Sequence, residues 1–306
     1  MEEQQTLHFR LMTYNVGGAR RDSGSNLASI VEVIKEISPD VLVIQEAREY
    51  QYANLEWDGD VKEITKGGNI EYHHFLGPVL SLTKDMDIRK PIFVKSIFED
   101  WREWRQGNAI LSRWEFVRLG DDPSMPGEPR NIPLYRMPLY QGNRDSESRY
   151  ALLGRVNCPP IYPYIIGVHL STLLGERGKH TIPGKLEEAK HLRVEQARRL
   201  LDLLRKDVLE PRKPVFLLGD FNAAANESCI STILEKESEF MRLIPQNRGK
   251  DGGGTHPKVE ESIDHIFVFP PERVKEYTCW IVDSLIAQKA SDHLPVVADV
   301  VIKNSL

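Results

Sequence analysis

Cysteine is scarce in this chain. Cys158, Cys229 and Cys279 are far apart and form no C-x-x-C pair, which argues against a zinc site and against a disulfide framework. Long apolar runs are also missing. No segment approaches the ~18 apolar residues that cross a bilayer. The start, Met1-Glu2-Glu3-Gln4-Gln5 leading into Thr6–Tyr14, lacks the basic and then apolar pattern of a signal peptide. The expectation is a cytoplasmic protein with no membrane span. An excess of positive charge is absent too: the formal net charge is -5. A chain without a global basic field is a poor match to long duplex nucleic acid, although a local basic groove remains compatible. There is no strand–G-x-x-x-x-G-K–helix phosphate loop, and Gly252-Gly253-Gly254 reads as a flexible turn.

What is present is enough apolar material for a large core. Of the 306 residues, 41% are hydrophobic, enough to close one large α/β domain. Apolar runs bounded by turn residues predict strands at Leu7–Tyr14, Asp40–Ile44, Asn108–Leu111, Tyr150–Val156, Tyr164–Val168, Val215–Leu218, Ile263–Phe269 and Val296–Ile302. Leu7, Phe9 and Leu11 alternate with His8, Arg10 and Met12, as in a strand with two different faces. Val41-Leu42-Val43-Ile44 is continuously apolar, as in a strand buried on both faces. Helical spacing appears at Leu27, Ile30, Val31 and Ile34, stopped by Ser38-Pro39. It appears again from Lys185 to Leu209, and in Ile230, Ile233, Leu234 and Met241 after Asn226, a candidate N-cap. Strands and helices interleave without a low-complexity linker, which predicts a single domain over 1–306. Surface insertions are expected near 48–105 and 120–148, where pattern is poor and Pro, Gly and charge are frequent.

Several apolar runs end on a polar residue: Thr13-Tyr14-Asn15, Ile44-Gln45-Glu46, Gly167-Val168-His169 and Leu218-Gly219-Asp220-Phe221-Asn222. Ser291-Asp292-His293 precedes its strand, and Asp264 lies within Ser262-Ile263-Asp264-His265. Adjacent strands hold their ends together, so such residues converge on one crevice although they are distant in sequence. Asp, Glu, Asn and His without a Lys or Ser nucleophile suit phosphate ester hydrolysis. A hard cation such as Mg²⁺ takes one or two carboxylates and leaves positions for phosphate oxygen. Glu46 and Asp292 are the candidate oxygen donors, with the Asn15 carbonyl. His293 suits a general base acting on water, with Asp264 fixing its tautomer. His169 and Asn222 are placed to donate to the phosphoryl oxygens. Asp220 would orient the water or protonate the leaving oxygen, and these two roles stay open.

The ordered set Y-N, Q-E, V-H-L, G-D-F-N, I-D-H and S-D-H-L-P resembles the endonuclease/exonuclease/phosphatase superfamily, which shares the fold of deoxyribonuclease I. The resemblance runs from Met12 to Val301 and includes Gly107–Arg113. It implies an α/β four-layer α/β/β/α sandwich, two packed β-sheets flanked by helices, and dependence on Mg²⁺ or Mn²⁺. It also implies Asn15 and Glu46 at the metal with Asp292 close by, Asp220 and Asn222 at the phosphate, and His293 as base paired to Asp264. Abasic-site endonucleases of the superfamily carry Tyr and an Asn-containing loop where this chain has Gly167–Ser171. The His form is more similar to deoxyribonuclease I, sphingomyelinases and small-molecule or lipid phosphatases. An arginine near the phosphate is common in the superfamily, and Arg149 is the candidate here.

The function expected is therefore metal-dependent hydrolysis of a phosphomonoester or phosphodiester, in nucleic acid or in a small sugar or lipid phosphate. The alternative is an inactive binding module of the same fold, against which the completeness of the polar set argues. Other features have plainer readings. His73, His74, His180, His191 and His256 lie at no zinc spacing and read as loop or surface residues. Trp101, Arg102, Trp104 and Arg105 read as packing on a helix face. The basic series Arg130, Arg136, Arg144, Arg149 and Arg155 could follow a polyanion, and the interspersed Glu128, Asp145 and Glu147 fit a mixed surface nearly as well.

Overall fold

The computed structural model describes residues 6–17, 26–52, 54–68, 71–83, 102–138, 140–178, 180–235, 238–248, 253–257 and 259–304. Its strands form two sheets. In the seven-stranded one, β1 (Thr6–Asn15) lies between parallel β2 (Val41–Gln51) and antiparallel β13 (Val296–Lys303). β12 (Val274–Ile281) continues the sheet beyond β13. β5 (Glu103–Ser112) and β4 (His73–Thr83) continue it beyond β2, whose far end also pairs with β3 (Trp57–Gly59). The six-stranded sheet runs β10 (Met241–Leu243), β11 (Asp264–Phe269), β9 (Val215–Asp220), β8 (Tyr164–His169), β7 (Arg149–Arg155), β6 (Arg130–Tyr135).

Each sheet has one parallel pair, and a parallel pair needs a crossover. Helix α1 (Leu27–Ile37) joins β1 to β2, and α3 (Lys185–Leu204) joins β8 to β9. α1 stops where Ser38 turns left-handed (φ 51°) and its N–H bonds Ile34 O. Burial on both faces explains the continuous apolar runs. In β1 and β2, Phe9, Leu11, Val41 and Val43 point between the sheets, where they meet Ile165, Phe216, Leu218 and Ile266. Met12, Tyr14, Leu42 and Ile44 point outward under α1, α2 (Asp60–Gly67) and α5 (Leu285–Ala290). On the far side Ile166, Val168, Val215 and Leu217 pack beneath α3 and α4 (Ser228–Leu234). The result is the expected four-layer α/β/β/α sandwich.

Local structure departs from the sequence reading in several places. The third helix starts at Ser228 with Glu227, not Asn226, as its N-cap, and it ends at Leu234. Met241 belongs instead to β10, which pairs with β11. An apolar residue at helical spacing cannot declare that a turn has intervened. Much of 48–105 is regular, carrying the end of β2, then β3, α2, β4 and the start of β5, while 84–101, with Trp101, lies outside the described residues. Trp104 is on a strand rather than a helix and is buried against Leu82. Arg105 stacks on the Trp57 ring, 3.9 Å from its centroid. Among the described residues no helix is long and apolar enough to cross a membrane.

Candidate active site

Both parallel pairs open on the same crevice. β1 ends at Asn15, beside Gln45 of β2, and β8 and β9 end at the paired residues His169 and Asp220. Asp264 opens β11 directly opposite Asp220. Carboxyl ends of parallel strands are where an α/β sheet leaves a crevice for a ligand. Here two sheets contribute to one cleft of about 300 Å³, lined by Asn15, Glu46, His169, Asp220, Asn222, Asp292 and His293 among others. Asp264 stands behind His293.

Asp220 is the hub. Asn222 N–H donates to its Oδ1 at 2.8 Å and Asn15 Nδ2 to its Oδ2 at 3.0 Å. His169 Nε2 and His293 Nε2 lie 3.5 and 3.7 Å from that same Oδ2. His293 Nδ1 is 2.9 Å from Asp264 Oδ2, so this nitrogen carries the proton and Nε2 faces the cleft. Ser291 completes the link, its hydroxyl donating to Asn15 O at 2.8 Å and accepting from His293 N–H at 3.2 Å. The backbone is strained here: Asn222 (φ 49°) and Glu46 (φ 59°) are left-handed. Glu46 sits where the β2–β5 register shifts between Ile44 and Ala47, a bulge that turns its side chain into the cleft.

Burial and charge set the protonation states. Burial, with the neighbouring Asp264 carboxylate, pushes the Asp220 carboxyl up to about 6. Burial and the positive charges of Arg149 and His293 hold His169 well below its ordinary value, so it is neutral. Burial also disfavours a charged His293, but Asp264 and Asp220 outweigh it and raise the imidazole to about 10.

A hard cation suits Glu46. The carboxylate is turned into the cleft and touches only amide nitrogens at long range, Asn15 Nδ2 at 3.5 Å and Gln106 Nε2 at 3.4 Å. No ion pair to it occurs among the described residues. A carboxylate held only by two long amide contacts and facing open space is a donor that Mg²⁺ or Mn²⁺ fits. Asn15 directs its amide nitrogen at Asp220 and Glu46, while its carbonyl oxygen accepts from Gly17 N–H at 2.9 Å. In this arrangement it orients the carboxylates. Asp292 lies toward His256, 3.7 Å from its Nε2.

The remaining sequence candidates are distributed around this centre. Arg149 is buried, pairs with Glu147 at 3.1 Å, and lines a smaller hollow that shares Glu46 and His169 with the cleft. Arg155 is structural, bonding Gly120 O and Tyr162 O. His73, His74, His180 and His191 are exposed, as expected. His256 is not a surface residue: it lines the cleft, its ring 4.8 Å from that of His293. Arg144, one of the basic series, also lines the cleft, as does Arg177, which sequence reasoning missed. His256 and Arg177 come from irregular segments and Arg144 from a single 3-10 turn, where no periodicity marks which way a side chain points.

The sequence model described as the Endonuclease/Exonuclease/phosphatase family matches residues 12–293. Solved structures share the fold. An endonuclease/exonuclease/phosphatase from Beutenbergia cavernae DSM 12333 superposes with TM-score 0.64 at 22% identity, covering 97% of this chain and 72% of that one. The human Nocturnin catalytic domain with bound sulfate anion gives 0.63 at 17%, covering 97% and 96%. Truncated Caenorhabditis elegans TDP2 gives 0.56 at 14%, covering 96% and 97%. No curated protein matches the sequence.

Proposed function

The chain belongs to the endonuclease/exonuclease/phosphatase family, and on that premise we propose that it is a divalent-metal-dependent phosphoester hydrolase whose substrate phosphate enters the cleft between Glu46 and His293. The observation that carries this reading is the Asp264–His293–Asp220 line at the cleft floor, with Asn15 and His169 on the same Asp220 oxygen.

Glu46, with Asp292 nearby and Asn15 orienting the carboxylates, would hold the metal. A bound dication supplies charge neutralisation for the phosphate, and its own positive charge opposes protonation of His293. Asp264 keeps the His293 proton on Nδ1, so that Nε2 accepts a proton from the attacking water. Asp220, at about 6, exchanges a proton near neutrality and is suited to orient that water or to protonate the leaving oxygen. Neutral His169 and the Asn222 amide donate to charge developing on the phosphoryl oxygens. Asn222 Nδ2 is held by Leu170 O at 3.1 Å, which fixes its place. Arg144 brings a positive charge to a cleft also lined by Glu46, Asp220 and Asp292, while Arg177 is paired with Glu176 and Glu227. A small cleft of mixed charge suits a short substrate, whether a nucleotide end or a sugar or lipid phosphate.

The test is hydrolysis of bis-p-nitrophenyl phosphate and p-nitrophenyl phosphate, with Mg²⁺, with Mn²⁺ and with EDTA. Turnover is expected with metal, and its loss with EDTA or in Glu46→Ala. Diester cleavage assigns a nuclease or phosphodiesterase, and monoester cleavage alone a phosphatase. Turnover that survives both EDTA and Glu46→Ala removes the reading.

A further inference from the structure

A second set of donors meets in the lining of the cleft. His256, Asp292 and His293 each offer one ligand atom, and the three atoms lie within 4.8 Å of one another. His256 Nε2 stands 3.7 Å from Asp292 Oδ2, and the two imidazole rings are 4.8 Å apart, tilted by 60°. Ligand atoms around a tetrahedral zinc ion stand roughly 3.3 Å apart, given Zn–N bonds of ~2.0–2.1 Å. Small side-chain movements therefore close the set.

His293 can offer only Nε2, because its Nδ1 faces Asp264 Oδ2 at 2.9 Å. A carboxylate that holds the far nitrogen fixes the tautomer and raises the basicity of the ligating one, which is how metal-binding histidines are commonly oriented. His256 is held in place by its bridge to Val259, and Thr255 O accepts from Leu294 N–H at 2.8 Å, tying this segment to 292–293. Two imidazoles and one carboxylate are a different donor class from the oxygen set around Glu46. Imidazole favours zinc and related transition metals, whereas carboxylate, carbonyl and water favour magnesium.

We infer that His256, Asp292 and His293 form a distinct transition-metal site that takes Zn²⁺, and that zinc held there inhibits hydrolysis. Binding releases the proton that the metal-free His293 imidazole carries on Nε2 at neutral pH, and the ion then occupies the lone pair that accepts a proton from water in turnover. The inhibitory consequence rests on the hydrolase reading above; the binding does not.

The test begins with binding, read independently of turnover. The full-length chain is titrated with Co²⁺, followed by visible absorption, and with Zn²⁺ by calorimetry. One equivalent of Co²⁺ is expected to give a ligand-field band that Zn²⁺ abolishes, in the wild type and in Glu46→Ala. His256→Asn should lose the band and weaken Zn²⁺ binding at least ~10-fold, the scale of losing a supporting contact or more. His256→Asp, which keeps a donor, should retain measurable binding and guards against misfolding as the cause of loss. Under Mg²⁺-supported turnover, His256→Asn should need at least ~10-fold more Zn²⁺ for half-inhibition, each variant being compared with its own zinc-free rate. Wild-type Zn²⁺ affinity in folded His256→Asn, or loss of the band in Glu46→Ala, overturns the assignment. Absence of turnover with intact cobalt binding would remove the hydrolase reading and leave the site standing.

Discussion

The side-chain amide of Asn15 donates to Asp220 Oδ2 at 3.0 Å across the gap between the two sheets. Asn15 ends β1 of one sheet, Asp220 ends β9 of the other, and the bond joins the two halves of the cleft. His293 and Asp264 repeat the pattern, since the first precedes β13 and the second opens β11. The site is therefore sensitive to the packing of one sheet on the other. Asn15→Ala removes the shortest donor to Asp220 Oδ2, which keeps only long contacts with His169 and His293, while Asn222 N–H stays on Oδ1. Turnover is expected to fall about 100-fold, comparable to losing one oriented polar contact in a catalytic site, with the far-ultraviolet spectrum unchanged. Asp220→Ala and His293→Ala should each cost at least as much. Near-normal turnover in any of the three places the chemistry elsewhere.

Gly17 makes a second prediction from geometry alone. A Cβ at this position would stand 1.7 Å from Glu46 Oε2 and 2.9 Å from Glu46 Cβ. Glu46 is already fixed in a left-handed conformation by the β2 bulge, so its base cannot retreat freely. Gly17→Ala should displace the carboxylate and weaken Mg²⁺ activation about 10-fold or more, while leaving the core untouched. Mg²⁺ titrations of activity, with thermal melts as control, check this. An unchanged midpoint would mean that Glu46 does not hold the ion.

The extent to which the sequence discloses this molecule differs by feature. β1 is legible from its alternation and β2 from its continuous apolar run Val41–Ile44, and the polar ends Asn15 and Glu46 then stand out. Asp220 and Asn222 are legible for the same reason, at the end of an unbroken apolar run. β4 and β12 are less so: they carry exposed residues such as His73, His74 and Glu276 that break the pattern. His256 was unreadable because its approach to His293 is a tertiary contact between two irregular segments. The direction of the Asn15 amide is equally hidden, since sequence does not show that Gly17 N–H occupies its carbonyl oxygen and leaves the nitrogen facing Asp220. Arg149 looked like a phosphate ligand by position; its burial beside Glu147 comes from chain packing that no local signal reports.

His265 predicts a pH dependence of stability. Its Nε2 is 2.8 Å from Ala223 O, and a carbonyl only accepts, so the buried ring is the neutral Nε2–H tautomer. Burial, aided by the charge of Arg242, lowers it to about 4. An unfolded histidine titrates near ~6.5. Between these values the unfolded chain holds the proton and the folded chain does not. The stabilisation is thus complete above about 6.5 and is lost as pH falls toward 4, on the order of 2 kcal/mol by pH 5. Asp220 acts in the opposite sense over part of this window, because its folded carboxyl is raised to about 6. Comparison with His265→Gln separates the two: urea unfolding at pH 7 and pH 5 should show a smaller acid-side loss in the variant. Parallel pH profiles would mean that His265 is not buried neutral.

Arg193 should anchor the cleft wall. Its guanidinium is fully buried and pairs with Glu176 at 2.7 Å and Glu227 at 2.8 Å, and it also donates to Ser171 O. Glu176 in turn accepts from Leu173 N–H and Thr172 Oγ1, and Glu227 from Arg177 and Ala224 N–H. Arg177 completes the mesh by donating to Asn222 O at 2.7 Å. One side chain on α3 therefore fixes both the 171–177 wall and the turn after β9 that carries Asn222. Removing the Arg193 cation leaves Arg177 as the one cation shared by two largely buried carboxylates among the described residues, and breaking a buried pair typically costs about 3–5 kcal/mol. Arg193→Met is expected to lose stability on that scale. Arg193→Lys, which keeps the charge but cannot bridge both carboxylates in one plane, should lose less. In whatever fraction of Arg193→Met stays folded, KM should rise more than kcat falls, because Leu173, Leu174 and Arg177 line the cleft without belonging to the Asp264–His293–Asp220 line. Chemical denaturation and steady-state kinetics on both variants test the two halves of the argument. If Arg193→Met unfolds within about 1 kcal/mol of wild type, the value of an exposed pair, the mesh does not hold the wall.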